Sequence, residues 1–133
     1  MGGINKNNSQ QGLMEERFYT IPVQLTAGTL ATTTTAPAVA IGALPFRWEE
    51  LGADWNTTNG DWSIRITDMG DDKSFSPSRV KVAGLCGATE REPYKLPAPW
   101  IFKAGSAIYI EAYNAGSGTD TLELLFIGRR LNP

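Results

Sequence analysis

Three carboxylate clusters are the first places in this sequence to look for chemistry: Glu49/Glu50, Asp68/Asp71/Asp72 and Glu90/Glu92. Paired carboxylates do acid and base work on glycosides when a fold holds them across a cleft, about 5 to 10 Å apart. Most of these acids fall in turn-like segments, where carboxylates are solvated, and nothing in their spacing makes the clusters converge. The chain contains no histidine. That removes the usual general base near neutral pH, the base of Ser/His and Cys/His pairs, and the commonest zinc ligand. Cys86 is the single cysteine, so it has neither a His partner nor a second thiol and reads as a small hydrophobe. The run Asp68-Met69-Gly70-Asp71-Asp72 carries the oxygens calcium takes, but lacks the alternating spacing and distal bidentate Glu of a dedicated loop. It reads as a solvated turn. The expectation is a chain that is not an enzyme and holds no cofactor or metal.

The four tryptophans, Trp48, Trp55, Trp62 and Trp100, raise a different chemistry, because exposed aromatic rings on a β scaffold stack sugars. Trp62 belongs to the inward set of a strand. Trp48 and Trp100 follow Pro-rich turns and plug the ends of a sandwich. Trp55, between Asp54 and Asn56, is the remaining platform, which keeps a carbohydrate-binding module as an alternative. A formal charge of −2 argues against nucleic acid as a partner, since neutralising phosphates needs a basic face. No run of about eighteen apolar residues is present, so no membrane is expected. The opening MGGINKNNSQQG has no apolar h-region, and Lys6 stands where an acylation pattern wants Ser or Thr. A soluble protein made in the cytoplasm is the expectation.

The elements that must position these residues are strands. The length of 133 residues suits one domain, large enough to fold on an apolar core. Residues 1–16 are rich in Gly, Asn, Gln and Ser, with Ile4, Leu13 and Met14 as isolated apolar points. They read as a flexible arm preceding a single β-sandwich domain over 17–133. From Arg17 the pattern alternates, with Tyr19, Ile21, Val23 and Leu25 on one face, and Pro22 marks that strand as an edge. Residues 29–36, TLATTTTA, favour extended structure, and Ala38 to Leu44 form a short strand kinked at Gly42. Pro45 to Gly52 leans towards a strand entering a turn. Trp62, Ile64 and Ile66 define the cleanest alternation, MGDDKSFSPS is a polar loop, and Arg79 to Leu85 resumes a strand through Val80 and Val82. Residues 86–99, with Pro93, Pro97 and Pro99, read as a long ordered loop bridging two sheets. Ile108, Ile110 and Ala112, then Leu122, Leu124 and Phe126, mark the last two inner faces. Seven or eight short strands with turns at this spacing predict an all-β fold, an antiparallel jelly-roll-like sandwich.

The final strand is apolar on both faces, since Leu125 and Ile127 stand opposite Leu122, Leu124 and Phe126. Either a loop or the chain's own end covers that second face, or a subunit does. Phe18, outward on the opening strand, and Leu13 and Met14 in the arm favour the subunit.

The order of elements resembles the small jelly-roll structural proteins of tailed bacteriophage virions, the head decoration or cement proteins and the collar proteins. The residues that carry the resemblance are Phe18-x-x-Ile21, Pro45-Phe46-x-Trp48, Trp62-x-Ile64-x-Ile66-x-Asp68, Pro93-x-x-Leu96-Pro97-x-Pro99-x-x-Phe102, Ser106-x-Ile108 with Asn114, and Leu122-x-Leu124-x-Phe126-x-Gly128. They span about residues 17–131. The resemblance implies a virion protein that works as a homo-oligomer and binds other virion proteins such as the major capsid protein. A decoration role on the head comes first, and a neck or collar role in the head-tail connection is the alternative. On this reading Leu13, Met14, Phe18, Pro97, Pro99, Trp100, Leu125 and Ile127 form the subunit interface. The Pro93 to Trp100 loop either docks or packs the end of the sandwich.

Overall fold

The computed structural model describes residues 16–27, 34–35, 39–87 and 91–131. Leu13 and Met14 lie outside the described residues. The strands in chain order are β1 (Glu16–Ala27), β2 (Thr34–Thr35), β3 (Val39–Ala40), β4 (Phe46–Asp54), β5 (Trp62–Asp68), β6 (Lys73–Ser74) and β7 (Val80–Lys81). A short helix α1 (Val82–Cys86) follows, then β8 (Tyr94–Phe102), β9 (Ala107–Asn114) and β10 (Asp120–Leu131).

These strands form two antiparallel sheets. One has the order β1-β10-β4-β8, and the other runs β2-β9-β5-β6, with β3 also on β9 and β7 also on β5. With β2/β3 and β6/β7 each taken as one interrupted strand, the chain threads between the sheets as a jelly roll does, which is the expected fold. Period-two alternation drives both layers. Every second residue of β5 and β9 is buried, as is every second residue of β10 from Leu122 to Gly128, and Ile21, Val23, Leu25 and Ala27 do the same on β1. The inner face of the β1-β10-β4-β8 sheet carries an aromatic seam, where the Trp48 ring centroid lies 5.0 Å from Phe126 and 5.8 Å from Phe102 on the strands either side. Asn114, fully buried, closes one end. Its amide donates to the carbonyls of Ala27 (3.1 Å) and Gly118 (3.0 Å), and its oxygen accepts from Asp61 N (2.8 Å) and Gly116 N (2.9 Å).

Several expectations are corrected. Arg79 to Leu85 is not one strand: β7 stops at Lys81, and one helical turn follows. The alternation of Val80 and Val82 fits period two, but Val82 and Cys86, four apart, are the buried pair, and i, i+4 burial is helical. The polar loop after β5 contains an apolar anchor. Phe75 packs edge-on against Trp48 and Trp100, at 5.3 and 5.1 Å. The chain changes sheet between β7 and β8, as expected, but the loop expected to run to residue 99 gives way at Tyr94, where β8 joins the ladder on β4. That ladder pairs Trp48 with Trp100 and then jumps to Glu50 with Lys95, so Leu96 to Pro99 bulge out of it. Pro97 and Pro99, lacking N–H groups, sit where no ladder bond is made, on an edge strand.

Candidate functional site

The outer face of the four-stranded sheet is built by β1, β10 and β4. The β1–β10 register sets Phe18 opposite Arg129, Thr20 opposite Ile127, Pro22 opposite Leu125 and Gln24 opposite Glu123. The β10–β4 register sets Arg129 opposite Arg47, Ile127 opposite Glu50, Leu125 opposite Gly52 and Glu123 opposite Asp54. Residues remote in sequence thus form ordered rows. Phe18 is 67% exposed. Leu125 and Ile127 are only half-buried although β10 is an interior strand of the sheet. Gly52 leaves a gap beside both: a Cβ there would stand 3.5 Å from Leu125 Cβ and 3.8 Å from Ile127 Cδ1. A shallow depression of about 380 Å³ opens beside that gap, lined by Pro22, Gln24, Gly52, Asp54, Glu123 and Leu125.

Charge flanks this apolar centre at both ends, and Glu50 stands beside Ile127 within it. At one end Glu49 lies between Arg47 (3.5 Å) and Arg129 (3.7 Å), two cations to one anion. At the other end Glu123 accepts from Gln24 (2.9 Å), and Asp54, its side chain 73% exposed, pairs with Arg91. Glu49 reaches the arginines because it is the extra residue of a bulge in β4, where the register skips from Glu50 to Trp48. Gly128 permits the close approach at that point, since a Cβ on it would overlap the Arg47 carbonyl oxygen.

A second concave feature lies at the open edge of the sandwich, beneath the β8 bulge. It is a cleft of about 420 Å³ lined by Trp48, Ile64, Phe75, Tyr94, Leu96 and Trp100 among others. Trp100 is half-buried and tied down, its indole Nε1 donating to Asp68 Oδ2 at 2.8 Å. Among the described residues no buried side-chain nitrogen or oxygen lacks a partner. The cleft therefore has hydrophobic walls and no orphan polar group aimed into it.

Of the residues expected at an interface, the structure brings Phe18, Leu125 and Ile127 onto one face. Pro97 and Pro99 are exposed on the β8 bulge at the sheet edge, apart from that face. Sequence reasoning missed Gly52, Arg47, Arg129, Glu123 and Asp54, because only the long-range register lines them up. Trp55, the candidate sugar platform, is corrected. It is 7% exposed, with the Arg91 guanidinium 3.8 Å from its ring centroid, so no sugar can stack there. Trp62 is core, as expected, and its Nε1 donates to Asp120 at 2.9 Å.

Of the acids examined for chemistry, Glu49, Asp68 and Asp71 have structural partners, and Glu90 lies outside the described residues. Asp68 is fully buried and also accepts from Gly70 N at 2.8 Å, and Asp71 pairs with Lys103 at 2.7 Å. That hydrogen bond and charge raise the Lys103 pKa. Burial pushes the Cys86 thiol up, and its Sγ donates to the Leu51 carbonyl at 3.4 Å.

No protein-family model matches the sequence, and no curated protein matches it. Among solved structures, the chain is weakly similar to VP2 of infectious bursal disease virus, a viral capsid protein solved as a subviral particle (13% identity, TM-score 0.37, 88% of this chain and 39% of that one). It is similar at the same level to a chain of the Gx strain of that virus (13% identity, TM-score 0.35, 89% and 36%). A further match comes from Bacillus endospore appendages, described as disulfide-linked pili (13% identity, TM-score 0.25, 86% and 91%). The chain spans 36% and 39% of the two viral chains.

Proposed function

We propose that this chain is a non-enzymatic structural protein of a bacteriophage virion, a decoration protein that binds the outside of the head as a homo-oligomer. A jelly roll alone does not select a function, because lectins and enzymes use it too. The observation that carries the reading is the outer face of the β1-β10-β4-β8 sheet. There Phe18, Pro22, Leu125 and Ile127 form one apolar stripe, and a monomer gains nothing by leaving such a stripe in water. Two further features support it. Glu49, Asp54, Asp61 and Asp71 serve ion pairs and Asp68 a turn, and both edge strands of that sheet carry prolines, Pro22 on β1 and Pro97 and Pro99 on β8. Proline on an edge discourages strand addition, which leaves the face as the surface for contact.

The experiment is the copy number of this chain, relative to the shell protein, in purified particles by quantitative peptide mass spectrometry. Closed symmetry makes the answer discrete. Copies on the order of hundreds are expected for head decoration, and about a dozen would move the chain to a ring at the neck. Absence from particles would overturn the virion reading.

A further inference from the structure

We propose that the cleft at the open edge of the sandwich binds a small amphipathic carboxylate, such as a medium-chain fatty acid, with its apolar body in the cleft and its carboxylate on Lys73. This site shares no residue with the outer face of the β1-β10-β4-β8 sheet and stands apart from the assembly reading. The cleft lies where β8 of one sheet and the β6/β7 edge of the other leave the sandwich unclosed. Its volume of about 420 Å³ falls within the ~300–1,000 Å³ of ordinary small-molecule sites. Trp48 and Ile64 line it although both belong to the core, so an apolar body entering it meets the interior of the sandwich. Leu85, Tyr94 and Leu96 line it too and are only half-buried, which leaves apolar surface that such a body would remove from water.

The fold holds the walls of the cleft in place. The β8 bulge carries Leu96 to Pro99 away from the ladder on β4, and Pro97 and Pro99 fix the backbone there. Phe75 stands edge-on to both Trp48 and Trp100, at 5.3 and 5.1 Å, and the Trp100 indole is anchored on Asp68 at 2.8 Å. A site shaped before binding loses little in ordering its own side chains. The lining also sets the ligand's chemistry. Lys73 is the one charged residue in it. Its Nζ lies 5.6 Å from the Trp100 ring centroid, and among the described residues it has no ion-pair partner. Of the acids in the adjoining turn, Asp68 is engaged by Trp100 and Gly70, Asp71 pairs with Lys103 at 2.7 Å, and Asp72 is exposed and lines no part of the cleft. A lone cation beside apolar walls suits one negative charge on an apolar body. A sugar would find few hydrogen-bonding groups, since Ser76 and Tyr94 carry the hydroxyls of the lining and Ser76 Oγ already donates to the Ser78 carbonyl at 2.6 Å. A cationic ligand would meet Lys73.

The test is titration of the full chain with dodecanoate brominated at its tail carbon, below the concentration at which it forms micelles, because bromine quenches tryptophan fluorescence on contact. Trp48 and Trp100 line the cleft and Trp55 and Trp62 do not, so quenching should saturate at one ligand per chain, remain partial and be reversed by unbrominated dodecanoate. Lys73→Met should weaken binding about two- to fivefold, as loss of an exposed ion pair does, and Lys73→Glu roughly tenfold or more. Brominated dodecanol, which carries no charge, should bind all three chains within about twofold of one another. Ala98→Phe, which fills the cleft from the bulge, should weaken binding of both probes roughly tenfold or more. Lys73 and Ala98 are exposed, so these variants keep the fold, and near-UV circular dichroism checks it. Leu125→Lys, remote from the cleft, should bind dodecanoate as the wild type does. Absence of saturable quenching overturns the proposal, as does undiminished binding by Ala98→Phe. Equal affinity of Lys73→Glu and wild type for dodecanoate overturns recognition of the carboxylate, and loss of binding in Leu125→Lys would move the ligand to the outer face and overturn the site. Loss of the chain from particles is the separate result that would end the virion reading.

Discussion

The two outer faces of this sandwich are made by the same rule and differ in character. On the β2-β9-β5-β6 sheet, outward side chains are matched to neighbours on their own face. Thr67 and Ser74 share a hydrogen bond of 2.9 Å, Arg65 donates to the Ser76 carbonyl at 3.3 Å, and Arg79 pairs with Glu111 at 3.5 Å while lying over Tyr113. On the β1-β10-β4-β8 sheet, Leu125, Ile127 and Pro22 form the centre and Phe18 lies towards one end, with Glu50 the charged residue set beside Ile127. Antiparallel sheets with one wet face normally alternate apolar and polar residues, and the first face obeys. The second departs from the alternation at Leu125 and Ile127, although the core is already complete on the opposite side of β10. Folding does not require that departure, and on the proposed reading its cause is contact with another molecule.

The contrast can be broken or sharpened by substitution. Leu125→Lys carries the largest expected effect. Self-association should weaken roughly 30-fold or more, matching the ~2 kcal/mol or more of a central interface anchor, while the cooperative thermal transition stays within about 3 °C of wild type. Loss of that transition would place Leu125 in the monomer's own core and erase the difference between the faces. Phe18→Ser should weaken association about tenfold, which is ~1.4 kcal/mol, because Phe18 lies towards the end of the stripe rather than at its centre. Raising sodium chloride from about 50 to 500 mM should cost association only a few-fold, since exposed ion pairs are worth ~0–1 kcal/mol and are screened. A salt effect of a hundredfold would mean that charge, not the apolar stripe, holds the copies together. On the opposite face, Tyr109→Lys should change association by less than about twofold, the ordinary range for surface positions. Both comparisons are read by sedimentation velocity beside thermal melting.

The sandwich was legible in the sequence wherever burial has period two. Trp62, Ile64 and Ile66, and likewise Leu122, Leu124 and Phe126, stand on inner faces as their alternation predicts. Where burial follows another rule, local pattern misled. Val82 and Cys86 are buried together by a helical turn, and Phe75 is pulled from a polar segment into the aromatic seam by Trp48 and Trp100. The prolines of β8 are admitted to a strand only because a bulge removes the ladder bonds they cannot make. The candidate site was half legible. The two-sided apolar character of the last strand singles out Leu125 and Ile127, and the outward phase of β1 singles out Phe18. The pairing of β1 with β10, which places Thr20 opposite Ile127, is a contact across more than a hundred residues that no local period encodes. Without it the charged rows and the gap at Gly52 have no address.

The most direct test is incorporation. Particles formed in the absence of the native chain are incubated with equimolar Leu125→Lys and Tyr109→Lys proteins, and the bound ratio is measured by peptide mass spectrometry. The account predicts that Tyr109→Lys occupies particles in fixed stoichiometry with the shell protein and that Leu125→Lys is largely excluded. Equal incorporation of the two, or binding of neither when the wild type also fails to bind, would contradict it.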